Sequence, residues 1–423
     1  MRDRREQGAG VVGQRDHARS ITEKGLVLIT KLSAPTTNGG SGETNINHTT
    51  KLALLLSLAL LLAGCGGGGS SNPEGNATGE TGPSEETRGE EVSRMSVRDA
   101  VGQMFVVSMN GTEPDYYIEK MIRERNIGGV ILFGPNMESE GGTRRLTRAL
   151  QELSMATEPR ISLFIAVDHE GGAVQHAPWV TPRPSAAEVG SRGDPGEARR
   201  ISSEIGHELR RAGVNTDFAP VADTGSGAAI GDRSYGADPA LVGRMVAASV
   251  GGFEEAGVVS AAKHFPNHGP AAEDSHVGYP RVAHGIQEVR ATDLPPFRAA
   301  VEAGVPMVMV GHLVYPSIDP ERPASLSPRA IGMLREELGF RGVIVTDDLA
   351  MEGAKRGGTP ARAAVEAVAA GADLLVLSGL PEEQAGAYDA VVAAVEAGEI
   401  PRERIEDSVR RIKEVKDGYR MAR

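Results

Sequence analysis

Beyond Met95, short apolar runs rich in β-branched residues alternate with stretches in which apolar residues recur every three or four positions. The runs are Met104–Val107, Val130–Phe133, Leu163–Val167, Asp217–Pro220, Val258–Ala262, Met307–Val310, Val343–Thr346 and Leu374–Leu377. Runs this short and this continuous suit parallel strands covered by helices on their outer face. Between them, Leu146, Leu150 and Leu153, then Ile201, Ile205 and Leu209, then Ile331, Leu334 and Leu338 mark the buried stripes of helices. Asp194-Pro195-Gly196-Glu197 reads as a helix start with an N-cap, a proline at the first helical position and a capping-box glutamate. Asp238-Pro239 repeats the cap and the proline. Eight strand–helix units over residues 95–423 predict an α/β fold, a single (β/α)8 barrel of TIM type. The alternation alone leaves a doubly wound open sheet as the alternative.

The first 94 residues read differently. From Leu52 to Ala63 runs LALLLSLALLLA, preceded by Lys51 and followed by Gly64 and Cys65. Twelve apolar residues are too few to span a bilayer but fit the apolar region of an export signal. The ending Leu62-Ala63-Gly64-Cys65 resembles the lipobox of bacterial lipoproteins, which implies that Cys65 is lipidated and becomes the mature N-terminus. Residues 51–65 are therefore read as a lipoprotein signal. Residues 66–94, rich in Gly, Ser, Thr, Pro and Glu and without apolar period, are read as a disordered tether. Residues 1–50 form a polar leader far longer than export signals need, as expected of a misassigned start; no methionine stands between Met1 and Met95. The expected location is extracytoplasmic, on the bacterial cell membrane and held there by the lipid anchor alone.

Composition narrows the function. Hydrophobic residues at 40% and charged ones at 24% are globular values, and they exclude wholesale disorder and a multi-span membrane protein. Past residue 65 the chain carries 37 Lys and Arg against 52 Asp and Glu, a surface that repels phosphate backbones, so no nucleic-acid partner is expected. The single cysteine allows neither an internal disulfide nor a cysteine-based zinc site. A monomer is expected.

In a barrel, the chemistry sits where strands end and the following loops begin. Here the third run leads into Asp168-His169-Glu170-Gly171-Gly172, the fifth into Lys263-His264-Phe265-Pro266, the sixth into Gly311-His312 and the seventh into Asp347-Asp348. Buried charges at successive strand ends are costly without partners, which makes them poor candidates for core residues. The densest stretch, Lys263 to His276, holds three histidines, one lysine and two acids. On residue types alone, His264, His268, Asp274 and His276 could also ligate a metal.

That stretch, KHFPNHGPAAEDSH, closely resembles the KHFPGHG…DSH signature of the bacterial β-N-acetylglucosaminidase (β-N-acetylhexosaminidase) branch of glycoside hydrolase family 3. Val167-Asp168-His169-Glu170-Gly171-Gly172 resembles the family's DQEGG turn, and Ile230-Gly231-Asp232-Arg233-Ser234-Tyr235-Gly236 its IG-x-RSFG loop. His312-Leu313-Val314-Tyr315-Pro316 and the segment from Leu338 to Met351 match later blocks in the same order, so the likeness spans about residues 95–417. It implies a retaining, exo-acting hydrolase that removes terminal non-reducing β-N-acetylglucosamine from cell-wall fragments or chitin-type oligosaccharides, without metal or organic cofactor.

Retention needs a carboxylate nucleophile and a proton donor for the departing oxygen. The resemblance assigns the first to Asp347, leaving Asp348 to cap the next turn. It assigns the acid/base to His276, oriented by Asp274. An imidazole, with an unperturbed pKa of ~6.5, can give up and recover a proton near neutrality. Asp168, Arg233, Lys263 and His264 are implied to bind the terminal sugar, with His268 supporting the loop and His312 lying behind the site. The chain departs from the family pattern at two positions. Asn267 replaces a glycine, and His176 stands where many relatives place an arginine that reaches the sugar. Ala271, Ala272, Gly269 and Gly278 leave the loop few bulky anchors, so it is expected to move over the substrate. A β-glucosidase or β-xylosidase of the same family, or a saccharide-binding surface lipoprotein without activity, are the alternative readings.

Overall fold

The computed structural model describes residues 85–419 and Met421, with the exception of position 228. The leader, the export signal, Cys65 and the tether up to residue 84 lie outside the described residues.

Eight parallel strands form the barrel: β1 (Phe105–Ser108), β2 (Gly129–Ile131), β3 (Phe164–Val167), β4 (Thr216–Asp217), β5 (Val259–Phe265), β6 (Met307–Val310), β7 (Val343–Thr346) and β8 (Leu375–Leu377). Each predicted run overlaps one of them, the fourth by Asp217 alone. The hydrogen-bonded order is β8-β1-β2-β3-β4-β5-β6-β7. The ring closes where Val345 pairs in parallel with Leu374 and the Thr346 N–H donates to the Leu374 carbonyl at 2.9 Å. An open doubly wound sheet is thereby excluded. Along the strands, Phe105, Phe164, Ile165, Val308, Ile344 and Leu375 are fully buried.

Each strand is followed by a helix that returns the chain to the opposite end. Glu140–Met155 and Pro195–Arg211 bury the predicted leucine and isoleucine stripes. Asp194 accepts from the Gly196 N–H at 2.8 Å and Asp238 from the Ala240 N–H at 3.0 Å, as their positions before proline require. The capping box at Asp194 does not form. Glu197 is drawn instead to Arg192, with Nε to Oε2 at 2.7 Å, because a guanidinium within reach offers a charge-assisted bond.

The tether is shorter than its composition indicates. Glu85–Arg94 is a helix, whose Val92 is 1% exposed and whose Glu91 pairs with Lys413 at 3.0 Å. A polar segment with one buried apolar residue has no visible period, and it is packing against the C-terminal helix Arg402–Gly418 that orders it. That C-terminal helix crosses the N-terminal end of the barrel. Its buried Lys416 donates to the Gly128 carbonyl and to Gln103 Oε1, both at 2.9 Å, and lies 4.7 Å from the Phe164 ring centre. The strand C-termini, at the other end, remain for chemistry.

Candidate active site

Strand β3 runs directly into a small hairpin, His169–Gly171 paired with Val174–Gln175. Gly171 and Gly172 have φ of 91° and 57°, and a Cβ on them would stand 2.8 Å from the Pro184 oxygen and from Ser185 Cβ respectively. Only glycine fits both the backbone and the space. In this extended segment Asp168 and Glu170 lie on one face. Both meet Lys263 from β5, whose Nζ is 2.5 Å from Asp168 Oδ1 and 2.7 Å from Glu170 Oε1. Arg233 closes the cluster with two bonds to Glu170, at 2.8 and 2.7 Å. Burial opposes ionisation of Glu170, yet Lys263 and Arg233 hold its carboxyl down at about 2. Burial likewise opposes the Lys263 charge, but Asp168 and Glu170 keep the amine above its ordinary range. The four groups form a cluster interlocked by charge-assisted hydrogen bonds.

Next to it in sequence, His264 donates from Nδ1 to Asp223 Oδ2 at 2.7 Å. Asp223 also accepts the His264 and His268 backbone N–H groups, at 3.3 and 2.5 Å. Because a carboxylate can only accept, this contact fixes the proton on Nδ1 and leaves Nε2 without a partner among the described residues.

Asp347 follows β7 without an intervening residue. Its Oδ1 accepts the Asp348 N–H at 2.8 Å. Burial would raise its pKa, but His264, His312, that N–H and Lys263 together hold the carboxyl well below the usual carboxylate range. Asp348 fares differently. It accepts the N–H groups of Ala350 at 2.9 Å and Ser378 at 3.0 Å, together with the Ser378 hydroxyl, and burial raises its pKa. It caps the turn after β7, as expected. His312 lies behind this turn. Its Nε2 donates to the Asp348 carbonyl at 2.9 Å, and its Nδ1 faces Ser325 Oγ at 2.7 Å.

The loop after β5 carries the dyad. His276 Nδ1 donates to Asp274 Oδ1 at 2.7 Å, and the His276 backbone N–H reaches the same oxygen at 2.9 Å. Burial works against the Asp274 charge, but these two donors and the nearby imidazoles lower its pKa. The His276 side chain is 67% exposed, and its Nε2 has no partner among the described residues. Between the two, Ser275 is buried: its hydroxyl meets His268 Nε2 at 3.0 Å and its carbonyl accepts the Gly353 N–H at 3.0 Å. The loop is thus anchored through one small residue and not through bulk. The histidines that could have shared a metal bond separately to Asp223, Ser275 and Asp274. No three metal-ligating side chains converge among the described residues.

Asn267, at the usual glycine position, does not use a left-handed backbone. Its amide donates to Thr224 Oγ1 at 2.7 Å and Asp293 Oδ1 at 2.8 Å, and its oxygen accepts the Thr224 and Gly269 N–H groups at 3.0 and 2.9 Å. All of its hydrogen-bonding capacity is used to tie the β4 and β5 loops together. His176 packs edge-on against Phe133, with ring centres 5.6 Å apart, and lies close enough to His169 to disfavour a proton there.

Two site residues escaped the reading of the sequence. Glu170 stands in the sequence as one residue of a glycine turn, and its i, i+2 relation to Asp168 in an extended segment is the signal of a shared face. Asp223 lies past the end of β4, where the strand-end rule applied to the other strands would have found it.

Residues 96–415 match the glycosyl hydrolase family 3 N terminal domain. A β-hexosaminidase A from Pseudoalteromonas piscicida is 34% identical over 326 residues, 71% of this chain and 54% of that protein. A β-hexosaminidase from Methylobacillus flagellatus is 36% identical over 283 residues, 64% of this chain and 79% of the relative. Among solved structures, a family 3 β-N-acetylglucosaminidase from a Paenibacillus species superposes with a TM-score of 0.76 at 38% identity, over 77% of this chain and 63% of that one. The chain thus spans about half the length of the first of these relatives. With the barrel closed, the charged cluster at its C-terminal end and the family match running through nearly every described residue, this chain belongs to glycosyl hydrolase family 3.

Proposed function

We propose that the protein is a retaining, exo-acting β-N-acetylglucosaminidase that removes terminal non-reducing N-acetylglucosamine from cell-wall fragments or chitin-type oligosaccharides. The observation that carries the mechanism is the Asp274–His276 contact. Asp274 holds the proton on Nδ1, so the proton exchanged with substrate resides on Nε2, the ring atom without a protein partner. In the first half-reaction the Asp347 carboxylate attacks the anomeric carbon, the glycosidic C–O bond breaks, and the departing oxygen takes the Nε2 proton. In the second, Nε2 removes a proton from water as that water attacks the same carbon, and Asp347 is released as carboxylate. Asp168, Arg233, Lys263 and His264 present acceptors and donors for the sugar hydroxyls, with Glu170 holding Lys263 and Arg233 in place. His176, behind Phe133, occupies the flank where it can contact the sugar. The names of the matched relatives agree with this substrate class.

Turnover of an N-acetylglucosaminyl aryl glycoside, compared with its glucosyl analogue, tests the reading. Preference for the first is expected. Preference for the glucosyl or xylosyl compound would transfer the protein to another branch of the family, and turnover of neither would make it a binding protein.

The same reading places the enzyme outside the cytoplasmic membrane on a lipid carried by Cys65. Mass spectrometry of the membrane-extracted protein should find an acylated Cys65 at the N-terminus; a soluble product retaining residues 1–64 would overturn the anchor.

A further inference from the structure

The N-terminal end of the barrel, opposite the catalytic groups, holds a cleft of about 320 Å³ lined by Arg88, Arg341, Asp407, Arg410, Arg411 and Glu414. Four guanidiniums face two carboxylates there, on a chain whose formal net charge is −12. Asp407 pairs with Arg410, and Arg88 reaches Asp417 at 3.9 Å. Arg411 is anchored from behind by the buried Asp373 at 2.9 Å, and Asp373 is shared with Arg335 and, at 3.6 Å, with Arg404. Three arginines on one acid leave excess positive charge beneath the cleft. Burial and the charges of Arg411 and Arg404 pull the Arg335 guanidinium down to about 10 despite Asp373. Arg341 is exposed and has no hydrogen-bond or ion-pair partner among the described residues.

Converging planar guanidiniums with spare donors match the oxygens of a phosphate group. The position of the cleft identifies the source. Arg88 belongs to the helix Glu85–Arg94, so the point at which the described residues begin lies beside this cleft. Arg341 precedes β7 by two residues, and Arg410 and Arg411 lie on the helix that crosses the strand N-termini.

We propose that this arginine cleft binds the phosphate of anionic phospholipid headgroups and seats the barrel with its N-terminal end on the membrane. The lipid anchor read at Cys65 would keep the cleft close to the bilayer, and the catalytic end would then face away, toward the wall. The inference rests on the anchor only for proximity, and the test removes the anchor.

The full chain carrying Cys65→Ser is floated with phosphatidylglycerol vesicles and with phosphatidylcholine vesicles. Binding to the first and not the second is expected, weakening as salt is raised. Arg341→Gln with Arg410→Gln should weaken it ~30-fold, and Glu414→Gln should tighten it ~5-fold. Hydrolysis of a soluble aryl glycoside should be the same in all three variants. Failure to bind phosphatidylglycerol vesicles, or equal binding by the double variant, would overturn the proposal. Thermal stabilisation by inorganic phosphate or glycerol phosphate without vesicle binding would also overturn it, assigning the cleft to a soluble phosphate ligand.

Discussion

Asp347 sits in the field of His264, His312 and Lys263, while the adjacent Asp348 is wrapped by Ser378 and the Ala350 N–H; identical carboxyls are thereby given opposite pKa shifts. Asp347→Asn should abolish turnover of every glycoside, since no glycosyl ester can form. His276→Ala should act more narrowly. An activated aryl glycoside needs little protonation of its leaving group, so glycosylation of Asp347 should slow only modestly, while natural glycosides lose roughly 10²–10⁴-fold. The intermediate should then accumulate and be visible by mass spectrometry on Asp347. Equal loss on both substrates with nothing trapped would make His276 structural. His169 offers a test of stability instead of rate. It is enclosed, Nδ1 accepts the Ala177 N–H at 3.3 Å, and burial, reinforced by His176, lowers its pKa to about 4. The unfolded imidazole takes a proton near its ordinary value of 6.5, so between 6.5 and 4 the unfolded state binds more protons and stability falls as pH drops. The full effect is about 3 kcal/mol. Urea unfolding of His169→Gln across this window should lack that share of the decline; an unchanged pH slope would show that the imidazole is not held neutral.

The loop after β5, proposed to carry the acid/base dyad, is fastened by two other elements. Its Ser275 carbonyl takes the N–H of Gly353, in the short helix Glu352–Lys355, and Asn267 ties it to Thr224 and Asp293. Gly353 has no room to grow: a Cβ would stand 2.8 Å from His312 Cβ and 3.0 Å from the Ser275 oxygen. Gly353→Ala should therefore push at once on the dyad loop and on the histidine beneath Asp348. Displacements near 1 Å at a reacting centre can cost about 100-fold, so kcat/KM should fall between 10- and 100-fold. Unaltered kinetics would mean that the helix does not position the loop. Asn267 had been noticed as a departure from glycine, but only its four partners explain it. A side chain that links strand-end loops replaces a residue chosen for backbone freedom.

At the scale of the molecule, the two ends of the barrel divide the work. One carries the groups proposed to be catalytic, and the other is closed by the C-terminal helix, whose Lys416 is 3% exposed and fastened to Gly128 and Gln103. Lys416→Met would leave Gln103 Oε1 buried without a donor, while the Gly128 carbonyl keeps the Phe164 N–H at 3.0 Å, a loss of about 1–3 kcal/mol in similar settings. A lower urea midpoint with unchanged kcat/KM is expected; an unchanged midpoint would show that water replaces the amine. The helix Glu85–Arg94 rests on this same C-terminal helix, so the end where the first and last described helices pack is structurally separate from the end proposed to bind sugar.

The eight strands were legible because strands enclosed between helices and a barrel interior must be apolar along their length, a requirement written residue by residue. The polar groups after β3, β5 and β7 were legible for the converse reason: charge at the end of such a run has no place in a core. Asp274 and His276 were paired through the family resemblance, and a separation of two positions in a loop lets the side chains meet. Other contacts required the closed ring. Glu170 meets Arg233 across 63 positions and His264 meets Asp223 across 41. Which carboxylate receives which cation depends on strand register and loop height, which local periodicity does not contain. The helix at Glu85–Arg94 shows the same division, since its order comes from Val92 and Glu91 meeting the C-terminal helix. Local patterns specified the elements and the residues available for chemistry; the barrel's closure decided which of them touch, because contact between distant segments is set by packing geometry.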